Sequence, residues 1–217
     1  MAAPPTTTAL TLAGARQLFA RQVTPKVIAV VLVGSAAARL AVGRWAWRDL
    51  LVPVVILAAQ PFTEWLIHVF LLHFRPRRFG HLRVDPLVAR KHRAHHADPK
   101  DQVLVFVPLP ALVLLIATVA AISLVAFTLP IALTAMVSAY AMLAAYEWTH
   151  FLIHSTYRPR RAPYRYVWRA HRNHHFRNEH YWFGVTMHLA DHVLGTFPEK
   201  TAVEVSPTAR TLGVGAV

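Results

Sequence analysis

The sequence predicts an all-α integral-membrane fold: four transmembrane helices with a cytoplasmic helical cap. Three observations lead there. Hydrophobic residues make up 55% of the 217 positions and charged residues only 15%, against about 25% charged in an ordinary soluble domain. The apolar residues gather into four long stretches, where roughly 20 apolar residues suffice to cross a bilayer. The formal charge of +13 comes from 23 Lys and Arg against 10 Asp and Glu, and the basic residues cluster beside the stretches rather than along one face. That is the positive-inside pattern of membrane topology, so nucleic acid is excluded as a partner.

In chain order, residues 1–25 are rich in Ala, Thr and Pro and lack the apolar core and cleavage site of a removed signal peptide. They are expected to form a flexible cytoplasmic N-terminal tail, ending in a short interfacial helix. A membrane-embedded domain is expected over 26–200, followed by a C-terminal tail at 201–217. The first span, 27–42, is interrupted by Arg39, which is expected to snorkel to the interface. The second, 50–73, contains Pro53 and Pro61 and turns polar with Glu64, His68 and His73. The third, 103–127, carries no charge, and the fourth, 129–154, stays apolar until Glu147, His150 and His154. Only Thr128 separates the last two spans so drawn, predicting a tight helical hairpin turning at Pro130. The segment 74–102 is basic (Arg75, Arg77, Arg78, Arg83, Arg90, Lys91, Arg93, Lys100), as is the stretch after Ser155. Both termini and the long central loop are therefore expected in the cytoplasm.

The chain repeats itself. Glu64-Trp65-Leu66-Ile67-His68 is echoed by Glu147-Trp148-Thr149-His150, and the HxxHH run at His92, His95 and His96 recurs at His171, His174 and His175. Each half is a pair of spans ending in histidines, followed by an HxxHH segment, which predicts one shared site at one membrane face. Of 14 histidines, those ten fall into four groups. Residues three or four apart share a helix face, so His150 and His154 point together, as do the members of each trio. His68 and His73 differ by five positions, about 140° of α-helix. Either the helix unwinds there or the two imidazoles serve different metals.

Ten imidazoles packed at one face would repel if protonated and would be costly to bury neutral and unpaired. Bound metal removes both difficulties. Ten ligands exceed the coordination number of one ion, so two metal ions are expected on His68, His73, His92, His95, His96, His150, His154, His171, His174 and His175. The absence of cysteine rules out iron–sulfur clusters and thiolate sites. An all-histidine donor set suits iron or zinc. Glu64 and Glu147 lie four and three residues before His68 and His150. They are expected to orient those rings by accepting from imidazole N–H, with Asp191, Asp98 and Asp101 as further candidates. Arg93 and Arg172 are candidates for head-group binding, and Tyr181, Trp182 and Phe183 for an access route or interfacial anchor. His81 reads as solvated loop, His180 as a candidate neighbour of the site, and His188 and His192 fall outside the ligand set.

The pattern HxxxxH, HxxHH, HxxxH, HxxHH resembles the fatty acid hydroxylase/sterol desaturase superfamily of membrane di-iron enzymes, over roughly Gln60 to Thr196. Within it, the short spacing between the last HxxxH and the last HxxHH is similar to the catalytic domain of fatty acid 2-hydroxylases. Asp191-His192-Val193-Leu194-Gly195-Thr196 resembles the family's closing Trp-Asp-x-x-x-Gly-Thr motif, with Ala190 where Trp is usual. The resemblance implies two iron ions, with zinc possible in purified protein, and O2-dependent hydroxylation of a lipid C–H bond, first of all in a fatty acyl chain. Carotenoid or sterol hydroxylation or desaturation is the alternative within the superfamily. A fused cytochrome b5 domain is not expected, so electrons would come from a separate cytochrome b5-like protein or ferredoxin. A non-catalytic metal transporter would need polar groups in mid-span, and the third span has none.

Overall fold

The computed structural model of the chain describes residues 9–214. Four helices are long and apolar enough to cross a membrane: Val23–Val42, Arg48–Leu72, Gln102–Ala126 and Leu129–His154. Within them, α2 is Val23–Val42, α3 is Arg48–Leu66 with a π-helical extension Ile67–Leu72, α5 and α6 are Gln102–Val105 and Leu109–Ala126, and α7 is Leu129–His154. α7 packs against α2, α3 and α6 and is the central helix of the bundle. Its Pro130 falls in the first turn, where a missing N–H costs nothing because that donor has no partner within the helix. The outward faces remain apolar, with Val125 88% and Val30 72% exposed, as lipid rather than water as the surrounding solvent requires.

A buried ion pair joins two of the spans. Arg39 does not snorkel: its guanidinium pairs with Asp49 at 2.7 Å, both side chains being almost fully buried, and Thr134 of α7 donates to the same carboxylate at 2.7 Å. The pair joins the end of α2 to the start of α3, and Thr134 ties both to α7.

The expected flexible tail is helical in part. Residues 1–8 lie outside the described residues, but α1 (Leu12–Arg21) is capped by the Thr11 hydroxyl, which accepts from Gly14 N–H at 3.1 Å. Apolar side chains spaced along α1 dock it onto the bundle: Ala15, Leu18 and Phe19 pack with Phe106, Trp148 and Phe151.

The cap comprises α4 (Leu87–Ala97), α8 (Ala162–Phe176) and α9 (Leu189–Val193). A short antiparallel hairpin, β1 (Arg77–Phe79) and β2 (Leu82–Val84), departs from the all-α expectation. The chain beyond residue 200 also belongs to the cap, because Ser206 N–H donates to Arg177 C=O at 2.7 Å and Leu212 is buried. The histidines of α3 and α7 lie at the ends of their helices nearest the cap, so the spans and the cap meet at one layer.

Candidate metal centre

All ten histidines predicted as ligands come together, in two groups. His68, His73, His92, His96 and His174 form one, and His95, His150, His154, His171 and His175 the other, with one ring nitrogen per residue lying within 4.8 Å of the others in its group. The groups adjoin: the rings of His96 and His175 stack across the boundary with centroids 4.1 Å apart.

Membership crosses the internal repeat. The outer histidines of each HxxHH run, four residues apart and so on one helix face, stay with the span of their own half. The middle histidine goes to the other half: His95 joins His150 and His154, and His174 joins His68 and His73. The members of each trio, expected to point together, are split between the two groups.

The first of the two expectations for His68 and His73 holds: the helix unwinds there, as a π-helical turn, and the rings do not serve different groups. Ile67–Leu72 is π-helical, and His73 N–H donates to His68 C=O at 3.0 Å. An i→i+5 bond widens the turn, so residues five apart lie over one another. Both rings enter the same group, with centroids 4.9 Å apart.

The orienting partners are backbone carbonyls. His68 Nδ1 lies 2.6 Å from Phe183 O, His96 Nδ1 2.8 Å from Ala209 O, His150 Nδ1 2.8 Å from Val105 O and His174 Nδ1 2.8 Å from Tyr181 O. A carbonyl only accepts, so each Nδ1 carries the proton. In the neutral ring the Nε2 lone pair then faces the group interior. The buried Nε2 atoms of His73, His96, His150 and His174, and Nδ1 of His95, His171 and His175, have no hydrogen-bond partner. Three further nitrogens meet others head-on, His68–His92 at 3.1 Å, His95–His154 at 3.2 Å and His171–His175 at 3.0 Å. Two ligands about 2.1 Å from a shared ion sit about 3 Å apart at right angles, so the spacing fits metal.

Burial, reinforced by neighbouring imidazoles, holds His92, His95, His171, His174 and His175 well below the usual 6.5. Burial brings His96 down to about 3 against the opposing pull of the Ala209 carbonyl. The rings are neutral at physiological pH, the state a metal requires.

The carboxylates do not touch the imidazoles of the two groups as expected. Glu64 accepts from Val185 N–H at 2.7 Å, Thr186 N–H at 3.0 Å and the Thr186 hydroxyl at 2.6 Å. Glu147 accepts from the Thr24 hydroxyl at 2.7 Å and Val107 N–H at 2.9 Å. Asp191 accepts from Phe183 N–H, Gly184 N–H, Thr196 Oγ1 and His188 Nδ1 at 2.7–2.9 Å. Burial would raise its carboxyl, but the donors, His188 first, hold it below the ordinary range. Asp98 and Asp101 are also away from the histidines, accepting from Lys100 N–H and Val103 N–H.

The remaining candidates are not members of either histidine group. Arg93 is held by Asp85 at 2.6 Å and the Phe74 carbonyl, and so is not free for a head group. Arg172 lies over Trp168. Trp182 and Phe183 are buried, and Phe183 packs on His68, His73 and His174. His81 and His180 are exposed. His188 and His192 lie outside both groups, His192 bonding to the Tyr166 hydroxyl at 2.6 Å. The carbonyls of Val105, Tyr181, Phe183 and Ala209 escaped the sequence reading, since every residue has one; only the nearby closing motif hinted at the segment.

Four membrane-long helices topped by two adjoining groups of buried neutral imidazoles define a multi-pass membrane protein with sites able to hold metal ions. The sequence pattern of the fatty acid hydroxylase family matches residues 53–196, and the chain belongs to that family. It is 29% identical to the dihydroceramide fatty acyl 2-hydroxylase FAH1 of Arabidopsis thaliana over 154 residues, 70% of this chain and 63% of that protein. It is 31% identical to the fatty acid 2-hydroxylase of Mus musculus over 142 residues, 64% of this chain and 37% of that one. The chain thus spans less than two thirds of the length of these relatives. Full-length scs7p, of which only the hydroxylase domain is visible, shares the fold with a TM-score of 0.70 at 22% identity, over 84% of this chain and 68% of that one.

Proposed function

We propose that this hydroxylase binds two iron ions, one in each five-histidine group, and uses O2 and electrons from a separate donor protein to hydroxylate a fatty acyl chain. The observation that carries this reading is the two adjoining sets of five inward-facing, neutral, buried imidazole nitrogens. The five histidines of each group would supply the donors that hold one ion. An unactivated C–H bond needs redox chemistry that side chains lack, and paired irons supply it when bound.

The protein's own part is orientation and exclusion. The ten histidines supply the donors, the carbonyls of Phe183, Val105, Tyr181 and Ala209 hold four of them in one tautomer, and the cap keeps water from the rings. The histidines of α3 and α7 occupy the last turns of their spans, a depth that an acyl chain reaches sideways from the leaflet. The positive-inside distribution supports a cytoplasmic location for that end, with both termini on the same side. The acyl-2-hydroxylase relatives favour a carbon near the acyl carboxyl group over carotenoid or sterol substrates.

The test is to express the chain in a host lacking acyl hydroxylation and to analyse lipids under 18O2. One labelled oxygen in a fatty acyl chain is expected, dependent on the histidines. Labelled carotenoid or sterol would move the substrate within the superfamily, and no labelled lipid of any class would end the proposal.

A further inference from the structure

Glu64 and Glu147 stand in the same relation to two different loops. Each lies about one turn before a histidine on the same helix, so carboxylate and imidazole share a face. In both cases a segment from elsewhere in the chain crosses that face. It offers backbone N–H to the carboxylate, two groups at Glu64 and one at Glu147, and, two residues before the first of them, a carbonyl to the imidazole. Val185 N–H meets Glu64 while Phe183 C=O meets His68; Val107 N–H meets Glu147 while Val105 C=O meets His150. Both carboxyl groups are buried, 6% and 2% exposed, where a hydrogen bond is electrostatically stronger than in water.

We propose that Glu64 and Glu147 are positioning residues, each orienting one histidine of one metal site through the backbone carbonyl of the loop it clamps. Glu64 acts through Phe183 on His68 in the first group, and Glu147 through Val105 on His150 in the second. Resting on the two-metal reading, this adds that the sites are held by separate devices and can be emptied one at a time. Removal of Glu64 leaves the Val185 and Thr186 N–H groups without an acceptor, and removal of Glu147 the Val107 N–H. The loop then shifts to satisfy them and carries its carbonyl away from the Nδ1–H, and the ring loses its fixed orientation. Asp191 also grips Phe183 and Gly184, whereas Thr24 of α2 donates to Glu147 itself and not to the Val105 segment. The first site therefore has the greater support.

The test measures metal per chain in the full-length protein in detergent after loading with Zn2+, with circular dichroism as the check on folding. The wild type is expected to bind two ions, and Glu64→Ala and Glu147→Ala one each at a metal concentration that saturates the wild type. Glu64→Gln and Glu147→Gln keep an acceptor oxygen and restore the second ion. Adding His95→Ala to Glu147→Ala, within one group, removes nothing more; adding His174→Ala, in the other, takes the count toward zero. Should an alanine variant fail to fold, Glu147→Asp keeps the carboxyl group but pulls the loop inward, weakening one of the two sites about 10–100-fold. Alanine variants that retain both ions or lose both together overturn the proposal, as does an aspartate variant with two sites of wild-type affinity. A wild type that binds no pair of ions fails the two-metal reading itself.

Discussion

His73 lies over His68 because six residues of π-helix close the i→i+5 bond between them. The other half of the chain spaces its pair by four, His150 and His154, and α7 is α-helical throughout. One extra residue in the first half is thus absorbed as a change of helix type, and both halves deliver two imidazoles to one face. Insertion of one alanine between Phe70 and Leu71 would turn His73 away by about 100°. The expected outcome is loss of one of two bound ions, measured by metal analysis; a full complement would show that the π turn is dispensable.

The exchange of middle histidines predicts a crossed pattern of loss. His95→Ala, although in the first HxxHH run, should deplete the same site as His154→Ala, and His174→Ala the same site as His73→Ala. Double variants within each pair should match the worse single variant in metal content, while His95→Ala with His174→Ala should be worse than either. Depletion that follows sequence proximity instead would contradict the grouping.

Asp49 neutralises a guanidinium inside the bundle. Asp49→Ala leaves Arg39 without its carboxylate partner, which destabilises because the remaining charge is uncompensated. Thermal unfolding in detergent should fall markedly, and Arg39→Met in the same chain should recover much of the loss. A wild-type melting temperature for Asp49→Ala alone would mean that the pair is not needed for stability.

Gly184 admits no side chain. A Cβ there would lie 2.2 Å from Met187 O and 3.0 Å from Asp191 Oδ2, so Gly184→Ala must displace the segment bearing the Phe183 and Tyr181 carbonyls. First-group metal affinity is expected to drop at least tenfold with the second group retained. Equal affinity at both sites would show that the segment can relax without moving its carbonyls.

Acid should destabilise the metal-free chain. The buried histidines resist protonation until well below 6.5, and His96 until about 3, while in the unfolded chain they protonate near 6.5. Below 6.5 the unfolded state binds more protons, so stability rises with pH through this window and is lost as pH falls, by about 1.4 kcal/mol per histidine per pH unit. Melting temperatures of chelator-treated protein should decline steeply between about pH 6.5 and 4.5. The metal-loaded protein should hold out to lower pH, because bound ions occupy the lone pairs until released. A metal-free melting temperature that does not change with pH would contradict the burial of the neutral rings.

The four spans and the ten histidines were legible from local pattern alone. Apolar runs of bilayer length and imidazoles at helical spacing are properties of neighbouring residues, and the ends of Leu129–His154 coincide with the span read from sequence. What local pattern could not contain is anything settled between distant segments. The assignment of His95 and His174 to the opposite halves depends on how α4 and α8 pack. The pairing of Arg39 with Asp49 depends on the bend between α2 and α3. Glu64 and Glu147 were singled out by proximity to His68 and His150, yet their partners are Val185 and Thr186, 121 and 122 residues away, and Thr24, 123 away. The sequence determined which atoms were available to hold metal, since donor chemistry belongs to the side chain. Only the tertiary structure decided how those atoms are grouped and aimed, because the groups that aim them are backbone carbonyls, identical at every residue and distinguished only by where the folded chain puts them.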